Sequence, residues 1–306
     1  LRESLYFKQA ELLLQVLPFF KSEEVFALKG GTAINFFVRN LPRLSVDIDL
    51  TYVPVNKREI ALTDISKRLE NIFSQIIKHF PRANISRKIL SETKTVIALI
   101  IEHEGAIIKV EPNFIVRGTV FKPIEQRLCP KAESLFEKTM SVLTLSFPDL
   151  YGSKLCAALD RQHPRDLYDI HLLLKNEGIT AEVRKAFIVY LISHPRPIAE
   201  LLDPNPQDFR DIYLNEFEGM TFDKVPLDDL VETQNYINQN IRNILTAEEK
   251  QFLVSFKSLA PDWNLLGLEN IQELPAVKWK LINLQKMDRK KYLKALEKLK
   301  NLLEKN

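Results

Sequence analysis

The chain has 306 residues, 45% hydrophobic and 27% charged, which is the make-up of an ordinary folded protein with material for two domains. That composition excludes collagen-like, disulfide-scaffold and disordered classes. Forty-three basic against forty acidic side chains leave only +3, so a nucleic-acid partner has to be argued from local charge. In chain order, residues 4–20 read as a helix with Leu5, Leu12, Leu13 and Val16 at helical spacing. A short apolar run, Val25–Leu28, leads into Gly30-Gly31 and then into Thr32-Ala33-Ile34-Asn35-Phe36-Phe37: strand, tight turn, helix. Val46–Val53 alternates as a half-buried strand, with Val46, Ile48 and Leu50 on one face and Asp47, Asp49 and Thr51 on the other. Residues 57–79 look helical, and Asn84–Leu90, Thr93–Glu102 and Ala106–Glu111 follow as three strands. The first part of the chain is therefore α+β, with helices beside a mostly antiparallel or mixed sheet.

From Pro148 the pattern turns helical. Residues 148–162 and 165–176 form two helices broken at His163-Pro164, and 226–259 and 280–305 form further ones. The proline cluster at 195–206 reads as a linker. This gives an α+β domain over 1–147 and an α-helical domain over 148–306. Cys129 and Cys156 have neither metal-finger nor disulfide spacing and read as small buried hydrophobes in a reducing cytoplasm. The apolar stretches Thr95–Ile101 and Ala10–Phe20 fall short of the ~18 residues that span a bilayer. The opening LRESLYFKQAELLLQ lacks the pattern of an export signal. No membrane partner is expected.

The sharpest chemical feature is Asp47-Ile48-Asp49 on a strand that follows the Gly30-Gly31-Thr32 turn. Carboxylates at i and i+2 of a strand share a face about 6.5–7 Å apart. That spacing can bracket divalent cations about 3.5–4 Å from one another, as an in-line phosphoryl displacement requires. Glu111 has the phase to complete the set, since Ile107, Lys109 and Glu111 share one strand face. Hard oxygen donors of this kind suit Mg²⁺ or Mn²⁺ and not zinc. The turn supplies the complement: two glycines allow close backbone approach, the following helix offers N–H groups to a triphosphate, and Thr32 adds a hydroxyl.

A second constellation runs from Lys154 to Asp169. Lys154 and Arg161 share one helix face, with the small Ala157 and Ala158 between them, and could grip phosphates as a point charge and a planar fork. Past the proline break, Asp166 is placed to fix Arg161 or to act as a base. The competing reading is a pair of helices pinned by Arg–Asp bridges through Arg165 and Asp169. His163 and His171 read as helix-junction and helix-face residues, Trp263 and Trp279 as core anchors, and Phe36 and Phe37 as core.

LKGGTAINFFVRNLPRLSVDIDLTY together with KLCAALDRQHPRDLYDIHLL resembles the AbiEii/AbiGii-type nucleotidyltransferase toxins, relatives of the MenT toxins in the polymerase-beta-like superfamily. FEGMTFDKVPLDDL and LPAVKWKLINLQK resemble that family's C-terminal helical part, so the resemblance spans nearly the whole chain. Two departures stand out: Thr32 replaces the usual Ser, and fourteen residues separate Thr32 from Asp47, more than the general pattern has. The extra residues could lengthen the helix or form a loop at Asn40–Leu44, from which Arg43 would reach a phosphate. The resemblance implies a polymerase-beta-like core and Mg²⁺ held by Asp47 and Asp49, with Glu111 completing the set. It also implies a triphosphate on Gly31 and Thr32, a phosphate contact from Lys154, and a need for Asp166, while Gly30 and Arg161 are nucleotide-binding candidates from the turn and the helix face themselves. It further implies a toxin with a cognate antitoxin, used in phage defence, and in some members nucleotide addition to tRNA 3′ ends.

The reaction expected from both lines is Mg²⁺-dependent transfer of NMP from an NTP to an acceptor hydroxyl, with Glu111 helping to deprotonate or orient that hydroxyl. An RNA acceptor needs positive surface. Residues 278–306 hold ten lysines and arginines against three acids, a local +7 that leaves −4 for the rest. The same segment also reads as a solvated amphipathic helix with Leu293, Leu296, Leu299 and Leu303 inward. Alternatives are a protein nucleotidylating enzyme, a kinase moving the γ-phosphate, and a catalytically idle binding partner.

Overall fold

The computed structural model describes residues 4–304. Lys305, part of the basic C-terminal segment, lies outside them. The chain divides into two compact units. One takes the chain up to Ser146 together with Glu216–Lys224, and the other takes Phe147–Asn215 and the chain from Val225 onward.

The first unit opens with α1 (Leu5–Val16), capped by the Ser4 side chain. The expected helical stretch 4–20 ends in a tighter 3₁₀ turn over Leu17–Phe20, where Pro18 removes an N–H donor. Then come β1 (Phe26–Lys29), α2 (Gly30–Ala33), β2 (Asp47–Tyr52), α3 (Arg58–His79), β3 (Asn84–Leu90), β4 (Thr95–His103) and β5 (Ala106–Asn113). Three elements between β5 and residue 147 were not foreseen: β6 (Ile124–Arg127), α4 (Pro130–Phe136) and β7 (Ser141–Thr144). The seven strands form one mixed sheet in the order β3-β4-β5-β2-β1-β7-β6. Strand β2 runs parallel to β5, and β1 parallel to β7; the other pairs are antiparallel.

Helix α3 buries Ala61, Leu62, Ile65, Leu69, Ile72 and Ile76, a 3–4 spaced stripe that packs on β4. The Arg87 guanidinium from β3 lies 4.1 Å over the Phe73 ring and bonds Glu70, both on α3. Arg87 pairs with Leu99, Leu99 with Val110, and Val110 with Ile48. The helix-covered face of the sheet therefore runs through those residues. Side chains alternate along a strand, so Asp47, Asp49, Lys109 and Glu111 lie on the opposite face.

The second unit is helical. It comprises α5 (Phe147–Arg161), α6 (Pro164–Asn176), α7 (Ala181–Ser193), α8 (Ile198–Leu201), α9 (Arg210–Glu216), α10 (Leu227–Asn240), α11 (Ala247–Lys257), α12 (Pro275–Gln285) and α13 (Arg289–Glu304). Helices α5 and α7 meet at Gly152, where a Cβ would stand 2.6 Å from the Phe187 backbone nitrogen. The expected helix 226–259 is two helices, because Thr246 and Glu249 form a capping box that starts α11. The expected helix 280–305 likewise divides into α12 and α13. The proline-rich 195–206 stretch is not a linker: Ile198, Ala199, Leu201 and Leu202 are buried, so it is a packed corner of the unit.

Candidate active site

The turn and the D-x-D strand are built against each other. Gly30 has φ +70, a conformation that side-chain-bearing residues seldom adopt, and a Cβ there would lie 2.8 Å from Asp49 Oδ2. The bare backbone of Gly30 therefore lets the Asp49 carboxylate stand directly against the turn. The Thr32 hydroxyl lies 2.5 Å from the Asp47 carbonyl oxygen, to which it donates, and 3.0 Å from the Ser45 hydroxyl. It ties the start of β2 to the first turn of α2. Asn35 Nδ2 donates to the Gly31 carbonyl at 2.8 Å and fixes the same turn from the next one.

The register completes the face. Asp49 pairs with Lys29 of β1 on one side and with Glu111 of β5 on the other, and Asp47 pairs with Lys109. Paired residues of neighbouring strands lie about 4.8 Å apart and point the same way, so Asp47, Asp49 and Glu111 share one face of two adjacent strands. All three are partly exposed and none turns into the core. The Glu111 carboxylate is engaged, however, by Lys109 Nζ at 2.6 Å. Among the described residues, no group of three or more His, Cys, Asp or Glu forms a set that could hold a metal ion. The donors have the right chemistry for a hard divalent cation: two aspartates on one strand face with a glutamate directly across.

Two turn residues sit differently from expectation. Thr32 is 1% exposed and its proton is committed to the Asp47 carbonyl, so it positions the aspartate strand and does not present a hydroxyl to a triphosphate. Arg43 is 2% exposed and does not reach out from a loop. Its Nη1 donates to the Leu44 carbonyl, and its Nη2 lies 2.7 Å from where a Gly31 Cβ would be, so the guanidinium backs the turn from behind. The extra residues between Thr32 and Asp47 explain this. The helix closes in a wide π turn over Ile34–Val38, and the loop beyond it is held by Glu216–Lys224. Arg43 bridges to Thr221, and the Leu44 N–H donates to the Met220 carbonyl at 2.8 Å. FEGMTFDK, grouped by resemblance with the helical part, thus belongs to the first unit.

In the second unit, α5 and α6 are joined by charge. Lys154 is buried and bonds Asp166 at 2.8 Å and Asp169 at 3.1 Å. Arg161 bonds both oxygens of Asp166, at 2.5 and 3.0 Å. Burial alone would raise the Asp166 carboxyl, but the Lys154 ammonium and the Arg161 fork prevail and hold it well below the usual carboxylate range. Asp166 is therefore a fixing group and not a base at neutral pH. His163 caps α6 by accepting the Arg165 N–H, and His171 meets the Thr233 hydroxyl. Both cysteines are buried. Trp263 packs on Phe252 and Phe256, but Trp279 is 58% exposed and is not a core anchor. Leu299 and Leu303 of α13 face inward, whereas Leu293 is exposed. Ser45 and Asn35 escaped the sequence reading, and Lys109 was placed on the Glu111 face but given no role. The one visible signal was the i,i+2 spacing of Lys109 and Glu111.

A mixed sheet in which a glycine turn abuts a D-x-D strand, with a third acid on the parallel neighbour, fits the nucleotidyltransferase core that the sequence resemblance implies. A family model, "Nucleotidyl transferase AbiEii toxin, Type IV TA system", matches residues 11–283. The chain belongs to that family of nucleotidyltransferase toxins. Among solved structures it is similar to MenT4, the nucleotidyltransferase toxin Rv2826c from Mycobacterium tuberculosis H37Rv. The two are 12% identical with a TM-score of 0.57, over 96% of this chain and 93% of that one, which shows a shared fold. No curated protein matches the sequence. Among the described residues no helix is long and apolar enough to cross a membrane.

Proposed function

We propose that this chain transfers a nucleoside monophosphate from an NTP to a tRNA 3′ end in the cytoplasm, with Mg²⁺ or Mn²⁺ at Asp47 and Asp49 and with Glu111 joining them. The observation that carries this reading is the Asp49 carboxylate standing against the bare Cα of Gly30 while sharing a sheet face with Asp47 and Glu111. Gly30 and Gly31 let a triphosphate approach backbone N–H groups, and the buried Arg43 behind Gly31 adds positive charge without touching the ligand. Bound divalent cations supply charge neutralisation at the transferred phosphate and polarisation of the acceptor hydroxyl. Thr32 holds Asp47 in register through its carbonyl. Glu111 takes or orients the proton of the attacking hydroxyl. Arg161, whose side chain is 62% exposed, is the cation of the Lys154–Asp166 cluster open to a phosphate, while Lys154 holds Asp166 and Asp169.

The basic C-terminal helices favour RNA as the acceptor. Lys290, Lys291, Lys294, Lys298 and Lys300 of α13 are exposed and suited to a phosphate backbone. A cognate antitoxin and a role in phage defence follow from the family reading. The test is incubation of purified protein with each α-labelled NTP, Mg²⁺ and either total cellular RNA or total protein. Label on RNA of tRNA size supports the proposal, and label on protein replaces it with the protein nucleotidylating reading. No transfer from any NTP refutes both.

A further inference from the structure

The carboxylate face carries a cation of its own. Lys109 Nζ sits 2.6 Å from Glu111 Oε2, and in register Lys109 lies directly across from Asp47. Lys109 and Glu111 belong to the same strand, two residues apart. Their ion pair therefore ties no two elements together and does nothing to hold β5 in the sheet. What it changes is the charge of the face and the place of the third carboxylate. Three acids within about 5–7 Å on one face repel each other, and Lys29, paired in register with Asp49, together with Lys109 interleaves that charge. On the side away from Asp47, β4 places Ile100 opposite Lys109, and Ile100 is exposed. An ammonium leaving Glu111 has open surface to move into, and its side chain is already 37% exposed.

We propose that Lys109 is a resident counter-cation: it holds Glu111 out of the donor set while no divalent ion is bound, and metal entry has to displace it. Lys109 is thus a positioning residue that sets the divalent concentration at which the site fills. This inference rests on the transferase reading of Asp47, Asp49 and Glu111. It predicts competition between one ammonium and the metal for one carboxylate. Removing the ammonium strengthens metal binding, whereas a lysine that only supported the fold or contacted substrate would leave metal binding unchanged or weaken it.

The test is Mn²⁺ titration of the whole chain without nucleotide, read by water-proton relaxation or electron paramagnetic resonance. Lys109→Met is expected to bind Mn²⁺ about tenfold tighter than wild type, the effect of deleting a unit charge some 6 Å from a dication in a water-like dielectric. Lys109→Arg, which keeps the charge, is expected to stay within about twofold of wild type. Far-ultraviolet circular dichroism confirms that each variant is folded. A Lys109→Met affinity equal to or weaker than wild type, in a wild type that does bind Mn²⁺, overturns the inference and leaves the transferase reading intact. A wild type whose Mn²⁺ binding is absent, or survives Asp47→Asn with Asp49→Asn, overturns the transferase reading and this inference with it.

Discussion

Gly30→Ala probes the closest contact in the site. The substitution has two costs. Placing a Cβ at φ +70 strains the backbone by about 1 kcal/mol. The new methyl would also stand 2.8 Å from Asp49 Oδ2, so the carboxylate must retreat by roughly 0.6 Å to reach ordinary contact, or else turn to another rotamer. Because a misplacement of about 1 Å in a reacting constellation costs about a hundredfold, NMP transfer is expected to fall at least about tenfold. Gly105→Ala is the control. Gly105 has φ +77 but nothing within 4 Å of its Cβ position, so the change adds backbone strain alone. Urea denaturation and α-label transfer, measured on both variants, separate the two costs. Both variants should lose similar stability, and only Gly30→Ala should lose transfer. Wild-type transfer by Gly30→Ala would refute the claim that the bare Gly30 backbone positions Asp49.

Three further perturbations have defined outcomes. Lys154→Met leaves Asp166 and Asp169 buried without their ammonium and should cost about 3 kcal/mol; a loss of transfer with unchanged denaturation would instead assign Lys154 to phosphate contact. The Asp166 carboxyl is held below its unfolded value, so its stabilising contribution is full at neutral pH and is lost as pH falls below the usual carboxylate range. Wild type should therefore lose more stability than Asp166→Asn between pH 5 and pH 2, as measured by denaturant midpoints. Neutralising Lys290, Lys291 and Lys294 together should flatten the salt dependence of RNA labelling while leaving NTP binding alone, and an unchanged slope would remove α13 from RNA binding.

The legible parts of the fold are those set by local patterns. Residues 57–79 were legible as α3, alternation over Val46–Val53 marked β2, and the strands expected at 84–90, 93–102 and 106–111 fall within two residues of β3, β4 and β5. Strands β6 and β7, IEQR and SVLT, are too short to show a period, so the strand that flanks β1 could not be seen. In the site, parity along β2 and β5 put Asp47, Asp49 and Glu111 on one face without coordinates. Burial of Arg43 was beyond reach, because the segment that covers it begins at Glu216, far along the chain, and no periodicity reports such a return. The fate of Thr32 turned on a single hydroxyl proton, whose acceptor, the Asp47 carbonyl, is visible only in three dimensions. Trp279 was misjudged because a tryptophan on an amphipathic helix usually packs inward, whereas α12 buries Ala276, Val277 and Leu284 and turns the indole out.

The most direct measurement compares wild type with Asp47→Asn, each given α-labelled and γ-labelled NTP with Mg²⁺ and cellular RNA, after both are shown to be equally folded. Wild type should place the α-label on RNA and release the γ-label as pyrophosphate, and Asp47→Asn should do neither. An RNA acceptor carrying the γ-label, or full α-label transfer by Asp47→Asn, would contradict the account.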